Sequence, residues 1–282
     1  MIGRGLVARL LARQHAVTGT SRCPTADGAV YLDLSDGNLS LASLPRVDAV
    51  VICAAMAKFS ECRDQPDLAR RVNVEAPARI ARHFSGQGMQ ILLLSTSAVF
   101  DCDVPYAGAD AIRRPRSIYG KMKAEAEDAV LAVSGGAVLR LTKVVGRNWP
   151  LINDWIARLR SGETIQAFAD HSFCPIELPA VLDAIVAILE SGESGIFQVS
   201  GGEDMTYVAA AGYLAERLGV PAGHVIGISA AAAGMPVEDI TRYTSLETSR
   251  LTRLTGYRGA PAREVMAHVF DPLLPEAAGA RH

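Results

Sequence analysis

Three short apolar runs constrain this chain more than any other feature: residues 47–55, 91–95 and 137–142. The first carries one charge near its start, Asp48, and is otherwise apolar, as a parallel strand buried on both faces requires. Between the runs lie stretches of helical period. Residues 67–84 place Ala69, Val72, Val74, Ile80 and Ala81 at helical spacing, and a second helix runs from Tyr119 to about Val133, ended by Ser134-Gly135-Gly136. Residues 3–13 read as a helix and 16–22 as a short strand; 178–189 and 196–200 extend the alternation. Strands alternating with helices build an α/β fold, here a doubly wound parallel sheet of the Rossmann type. A short helix is expected over 39–44. Beyond Thr142 the alternation breaks, and Trp149, Pro150 and Trp155 open a different, helical stretch. We therefore expect the α/β region in 1–148 plus 175–201, and a smaller, C-terminal lobe in 149–174 plus 202–282, with helices at 205–218 and 243–254.

Composition narrows the function class. A formal net charge of −2, with no basic block, leaves nucleic acid without an electrostatic footprint and makes a small molecule the default partner. Five cysteines without CxxC spacing argue against both a disulfide framework and a zinc site, so the cytoplasm is the expected compartment. The apolar runs are far shorter than the ~20 residues that span a bilayer, and residues 1–12 are too short and Arg-interrupted for a signal peptide. A homo-oligomer stays open.

The chemistry concentrates in two places. The strand at 91–95 delivers the hydroxyls of Ser95, Thr96 and Ser97 at its carboxyl end. Tyr119 and Lys123 then stand four residues apart at the start of a helix, where positions i and i+4 share a face. An ammonium beside a phenol favours the anion and lowers a pKa that is about 10 unperturbed. Thr96 can hydrogen-bond a substrate carbonyl while Tyr119 gives or takes the proton.

Ser95-Thr96-x-x-Val99-Phe100-Asp101, then Pro105-Tyr106, Pro115, Tyr119-Gly120-Lys121 and Glu125, resembles the extended short-chain dehydrogenase/reductase family, in its dTDP-4-dehydrorhamnose reductase-like, sugar-nucleotide-binding branch. The resemblance implies an NADP-dependent reductase (NAD being possible) of a nucleotide-linked 4-keto sugar. Its catalytic residues are then Thr96, Tyr119 and Lys123. The cofactor contacts it implies are Gly3, Ser21, Arg22, Asp33, Leu34, Ala54, Ala55, Ser95, Tyr119 and Lys123, with Arg22 beside Ser21 suited to the extra phosphate of NADP. Substrate contacts fall on Thr96, Ser97, Lys143 and Trp149; Lys143 stands where this branch usually carries an aromatic residue. Asn73 matches a family asparagine that braces the backbone, and Thr244-Ser245-Leu246 resembles a further family signature. His171 is read as a surface residue, and no metal cluster is expected.

Met1-Ile2-Gly3-Arg4 resembles the end of the family's Gly-x-x-Gly-x-x-Gly turn, with Gly3 as the third glycine. On that reading the first strand and two glycines are absent from the sequence, through a misassigned start or a truncation, or else through loss in a natural lineage. An in-frame strand with Gly-x-x-Gly in the upstream codons decides between these. Two alternatives to the reductase also stay open: a non-catalytic subunit that keeps the nucleotide fold, and a sugar-nucleotide epimerase.

Overall fold

The computed structural model describes residues 1–23, 29–42 and 44–274. The chain opens with α1 (Ile2–Ala12), then β1 (Thr20–Ser21), β2 (Val30–Tyr31) and β3 (Ala49–Ile52). A short α2 (Phe59–Asp64), which the apolar pattern does not reveal, precedes α3 (Pro66–Arg70) and α4 (Ala76–Ser85). The expected helix over 67–84 is thus present, but a π-helical turn, Arg71–Glu75, joins its two parts. β4 (Gln90–Thr96), α5 (Ile118–Leu131), β5 (Gly136–Leu141) and β6 (Lys143–Val145) follow. Next come α6 (Pro150–Arg160), β7 (Ile165–Phe168), β8 (Ser172–Phe173), β9 (Pro175–Glu177), α7 (Leu178–Ser191) and β10 (Gly195–Val199). β11 (Met205–Thr206), α8 (Tyr207–Arg217), β12 (Val225–Ile228), α9 (Ser249–Thr255) and α10 (Ala262–Phe270) complete the described chain.

The central sheet is parallel throughout, in the order β10-β5-β4-β3. Side chains alternate across a strand, so β4 feeds both faces: Leu92 and Leu94 join Leu6 of α1 and Val181, Ile185 and Ile188 of α7, while Ile91 and Leu93 meet Ile80 and Phe84 of α4 and Val130 of α5. That double burial is the doubly wound arrangement the apolar runs require. The strand β3 differs from expectation. It is the edge of the sheet, and of its four residues only Ile52 is buried. β1 and β2 pair with each other in a separate parallel sheet.

A second core gathers Trp155 and Leu159 of α6, Phe173 of β8, Leu214 of α8 and Met266 and Phe270 of α10. Leu251 of α9 packs instead with the sheet and α7. Two expected helices are shorter or absent. Over 39–44 the described residues form turns, Asp36 and Leu41 accepting from Leu39 and Leu44, and the buried Leu39 and Leu41 pin them against α4; Ser43 lies outside the described residues. Residues 243–248 form no helix, because their backbone groups are taken elsewhere: Tyr243 donates to Cys102 O, Glu247 donates to Ala107 O, and Gln198 Nε2, from β10, donates to Glu247 O. Helix α9 begins only at Ser249.

Candidate active site

Thr96 is the last residue of β4, and its Oγ1 accepts from Ala98 N at 3.2 Å, capping a 3-10 turn at Ser97–Val99. Among the described residues the Thr96 hydroxyl donates to no protein acceptor, which leaves its proton for a ligand. Helix α5 starts at a Ser117 cap, whose Oγ accepts from Gly120 N at 3.1 Å. Gly120 then lies against the turn that follows Thr96. A Cβ at this position would come 2.1 Å from Ala98 O, so only glycine lets the helix dock there. This close approach brings Tyr119 to the end of β4, and Ala98 packs on the cluster that contains it.

Tyr119 is buried among Cys62, Val74 and Met122, its ring 5.6 Å from that of Phe59. Among the described residues its hydroxyl has no hydrogen-bond partner. Burial, with Cys62 adding to it, pushes its pKa well above the ordinary phenol range. Lys123 is 1% exposed and its Nζ donates to Leu94 O at 2.7 Å. Burial brings its pKa down to about 8, the Glu127 carboxylate one turn on working in the opposite direction. The expectation that Lys123 lowers the pKa of Tyr119 is thus corrected. Both side chains leave one helix face, but the ammonium is drawn to a strand carbonyl, and desolvation governs the phenol.

Ser95 also departs from its expected role. It shares the strand face of Ile91 and Leu93, under α5, and its Oγ donates to Glu127 Oε1 at 2.5 Å rather than lying open for a cofactor. Glu127 is fully buried and is held by Arg140, 1% exposed, through Nε at 3.0 Å and Nη2 at 2.8 Å. Arg140 reaches on to Ala109 O and Gln198 Oε1, and Arg113 closes on the same carboxylate. This network joins β4, α5, β5 and β10 directly beneath the site. Sequence reading missed it, although Glu127 stands four residues after Lys123, on the same helical face.

The remaining expected positions lie on other elements. Ala54 and Ala55 follow β3 with exposed side chains, and Asn73 braces the next residue in both directions, accepting from Met56 N at 2.9 Å and donating to Met56 O at 3.0 Å. Gly3, in the first turn of α1, faces Cys53 at the end of the same strand, at ordinary contact distance for an added Cβ. The α1 N-terminus carries no side-chain cap, which leaves backbone N–H groups available to an anion. Ser21 Oγ accepts from Cys23 N, and Arg22 is exposed. Asp33 Oδ1 is occupied by a turn, accepting from Ser35 N at 2.8 Å and Ser35 Oγ at 2.7 Å. These bonds hold the carboxyl below its usual range, and Leu34 packs toward the α4 side of the sheet. Ser97 is buried in the 3-10 turn. Thr244, in the family-like signature, is a brace: it donates to Asp204 and accepts from Cys174 N at 2.7 Å.

On the lobe side, Lys143 Nζ sits 4.8 Å from the Trp149 ring centroid. His171 is not a free surface residue. It is half-buried and stacks on Tyr207 at 4.9 Å and 10°.

The model of the RmlD substrate binding domain family matches residues 1–274. This chain belongs to that family. One relative, a dTDP-4-dehydrorhamnose reductase from Streptomyces griseus, is 29% identical over 265 residues, covering 89% of this chain and 83% of its own. Another, methionine adenosyltransferase 2 subunit beta from Xenopus laevis, is 30% identical over 189 residues, covering 62% of this chain and 56% of its own. Among solved structures, a dTDP-4-dehydrorhamnose reductase from Bacillus anthracis in complex with NADP shares the fold, with a TM-score of 0.70, 20% identity and 80% of each chain covered. In this RmlD-family chain, Lys123 of α5 bonds Leu94 O and Tyr119 packs with Ala98, on either side of Thr96, while Ser95 and one oxygen of Asp33 are engaged in bracing the fold.

Proposed function

We propose that this RmlD-family protein is an NADP-dependent reductase of a nucleotide-linked 4-keto sugar. The observation that carries the reading is that Thr96 ends β4 while Tyr119 of α5, a neutral phenol with no hydrogen-bond partner among the described residues, packs with Ala98 two residues further on. A phenol that keeps its proton at neutral pH is a donor, which suits reduction.

The residues present fit a dinucleotide. The uncapped α1 N-terminus with Gly3 suits its pyrophosphate, Ser21 and Arg22 suit a 2′-phosphate, and Ala54 and Ala55 offer backbone without a bulky side chain. When bound, the nicotinamide supplies the hydride. The chain supplies the rest. Thr96 donates to the substrate carbonyl and orients it, and Tyr119 hands its proton to the oxygen as that oxygen becomes an alcohol. Lys123, one donor spent on Leu94 O, keeps two N–H donors for a ribose hydroxyl. The lobe of 149–174 plus 202–282, with α9 returned to the sheet, holds the sugar nucleotide. No helix among the described residues is long and apolar enough to cross a membrane, and all five cysteines are free; we place the protein in the cytoplasm.

The resemblance to methionine adenosyltransferase 2 subunit beta favours a second reading, a non-catalytic subunit on the same fold. NADPH consumption with a panel of nucleotide-linked 4-keto sugars separates the two. Turnover that falls by at least roughly a hundredfold in Tyr119→Phe supports the reductase; NADPH binding with no panel member reduced supports the subunit.

A further inference from the structure

Lys143 opens β6, just past the end of β5, the sheet strand that pairs with β4 at Thr96. Leu141 is the register partner of Thr96, and Lys143 stands two residues further along, where its backbone N–H donates to Cys174 O. Its ammonium rests on the Trp149 indole with no carboxylate partner among the described residues. Trp149 in turn meets Tyr207 edge-on at 6.3 Å, and Tyr207 is stacked against His171. The imidazole is fixed by its surroundings. His171 Nδ1 accepts from Thr241 N at 3.0 Å, which places the ring proton on Nε2 as a donor. Burial, with the charge of Lys143 adding to it, keeps this imidazole below its ordinary pKa and hence neutral at pH 7. Among the described residues neither Nε2 nor the Tyr207 hydroxyl has a hydrogen-bond partner. Among the described residues, one wall beside the catalytic strand therefore carries a cation and two spare donors on an aromatic base, with no acceptor for any of them. Lys143 is exposed while His171 and Tyr207 are half-buried, and a cation beside two half-buried donors matches an anionic oxygen group.

We propose that Lys143, with His171 and Tyr207, forms a subsite for an anionic oxygen group of the substrate, either a carboxylate on the sugar or the diphosphate that links it to the nucleotide. The proposal rests on the sugar-nucleotide reading above and adds to it a specificity element that selects an acidic ligand group. Both sources present the same chemistry to the ammonium, and binding separates them.

The test is calorimetric titration of the full chain with uridine and thymidine diphospho-glucose and the matching diphospho-glucuronates, in wild type, Lys143→Met and Lys143→Arg. A carboxylate source predicts that Lys143→Met weakens the glucuronates by about tenfold and leaves the glucose compounds unchanged. A diphosphate source predicts an equal loss of about tenfold for both sugar classes. In either case Lys143→Arg retains most of the affinity, because the charge is kept. Affinities in Lys143→Met within about twofold of wild type for every probe overturn the subsite while leaving the parent reading intact. Wild-type protein that binds none of the probes overturns the sugar-nucleotide reading, and the subsite with it.

Discussion

Lys123 carries a pH signature of its own. Its folded-state pKa of about 8 lies below the ordinary lysine value, so between about pH 8 and 10.4 the folded protein binds fewer protons than the unfolded chain. Stability from this group therefore rises as pH climbs through that window, and the burden of a buried ammonium is fully present below pH 8. Lys123→Met lacks the effect. We expect the stability of wild type relative to Lys123→Met, from urea denaturation at pH 7.5 and 10.5, to rise by roughly 3 kcal/mol; a flat difference means that the ammonium is hydrated in the fold. Gly120 is the second residue with a sharp prediction. Gly120→Ala sets a methyl group into Ala98 O, so α5 must shift from the Thr96 turn. The expected cost is roughly 1–3 kcal/mol in stability, with kcat lowered more than KM. The Tyr119-x-x-x-Lys123 spacing was legible because helical period is a property of the sequence. Where the ammonium points was not, since its acceptor belongs to a strand that the helix meets only after folding.

At the scale of elements, the buried ion pair of Glu127 and Arg140 holds α5 to β4 and β5. Removing one partner leaves a charge without compensation in the core, so Glu127→Gln is expected to cost roughly 3–5 kcal/mol. Replacing both, Glu127→Leu with Arg140→Met, is expected to recover much of that loss; denaturation midpoints of the three proteins measure it. Runs 91–95 and 137–142 could be read from sequence because both faces of β4 and β5 are buried and, Ser95 and Arg140 aside, carry apolar side chains there. The segment 243–248 could not, since its departure from helix depends on Cys102, Ala107 and Gln198, remote in sequence, taking its backbone groups. The π-helical turn that holds Asn73 leaves no mark on apolar spacing.

Over the whole molecule, the four-stranded sheet is protected unevenly. β4 and β5 are hydrogen-bonded on both sides, while β3 is an edge and β1–β2 stand apart. Amide hydrogen exchange should therefore be slowest in β4 and β5 and at least about tenfold faster in β3 and β1–β2; uniform protection contradicts this topology. A change of architecture after Thr142 was readable from the loss of strand–helix alternation, but the return of α9 to the sheet was not, because only Leu251 and Leu254 of that helix carry it onto that core. On the proposed reading, β4 and α5 assemble a proton donor for carbonyl reduction. NADPH oxidation at pH 7 with nucleotide-linked 4-keto sugars, compared between wild type and Tyr119→Phe, tests it most directly. Turnover in wild type that falls by at least roughly a hundredfold in the variant, with NADPH affinity retained, is the predicted result; equal turnover in both proteins contradicts it.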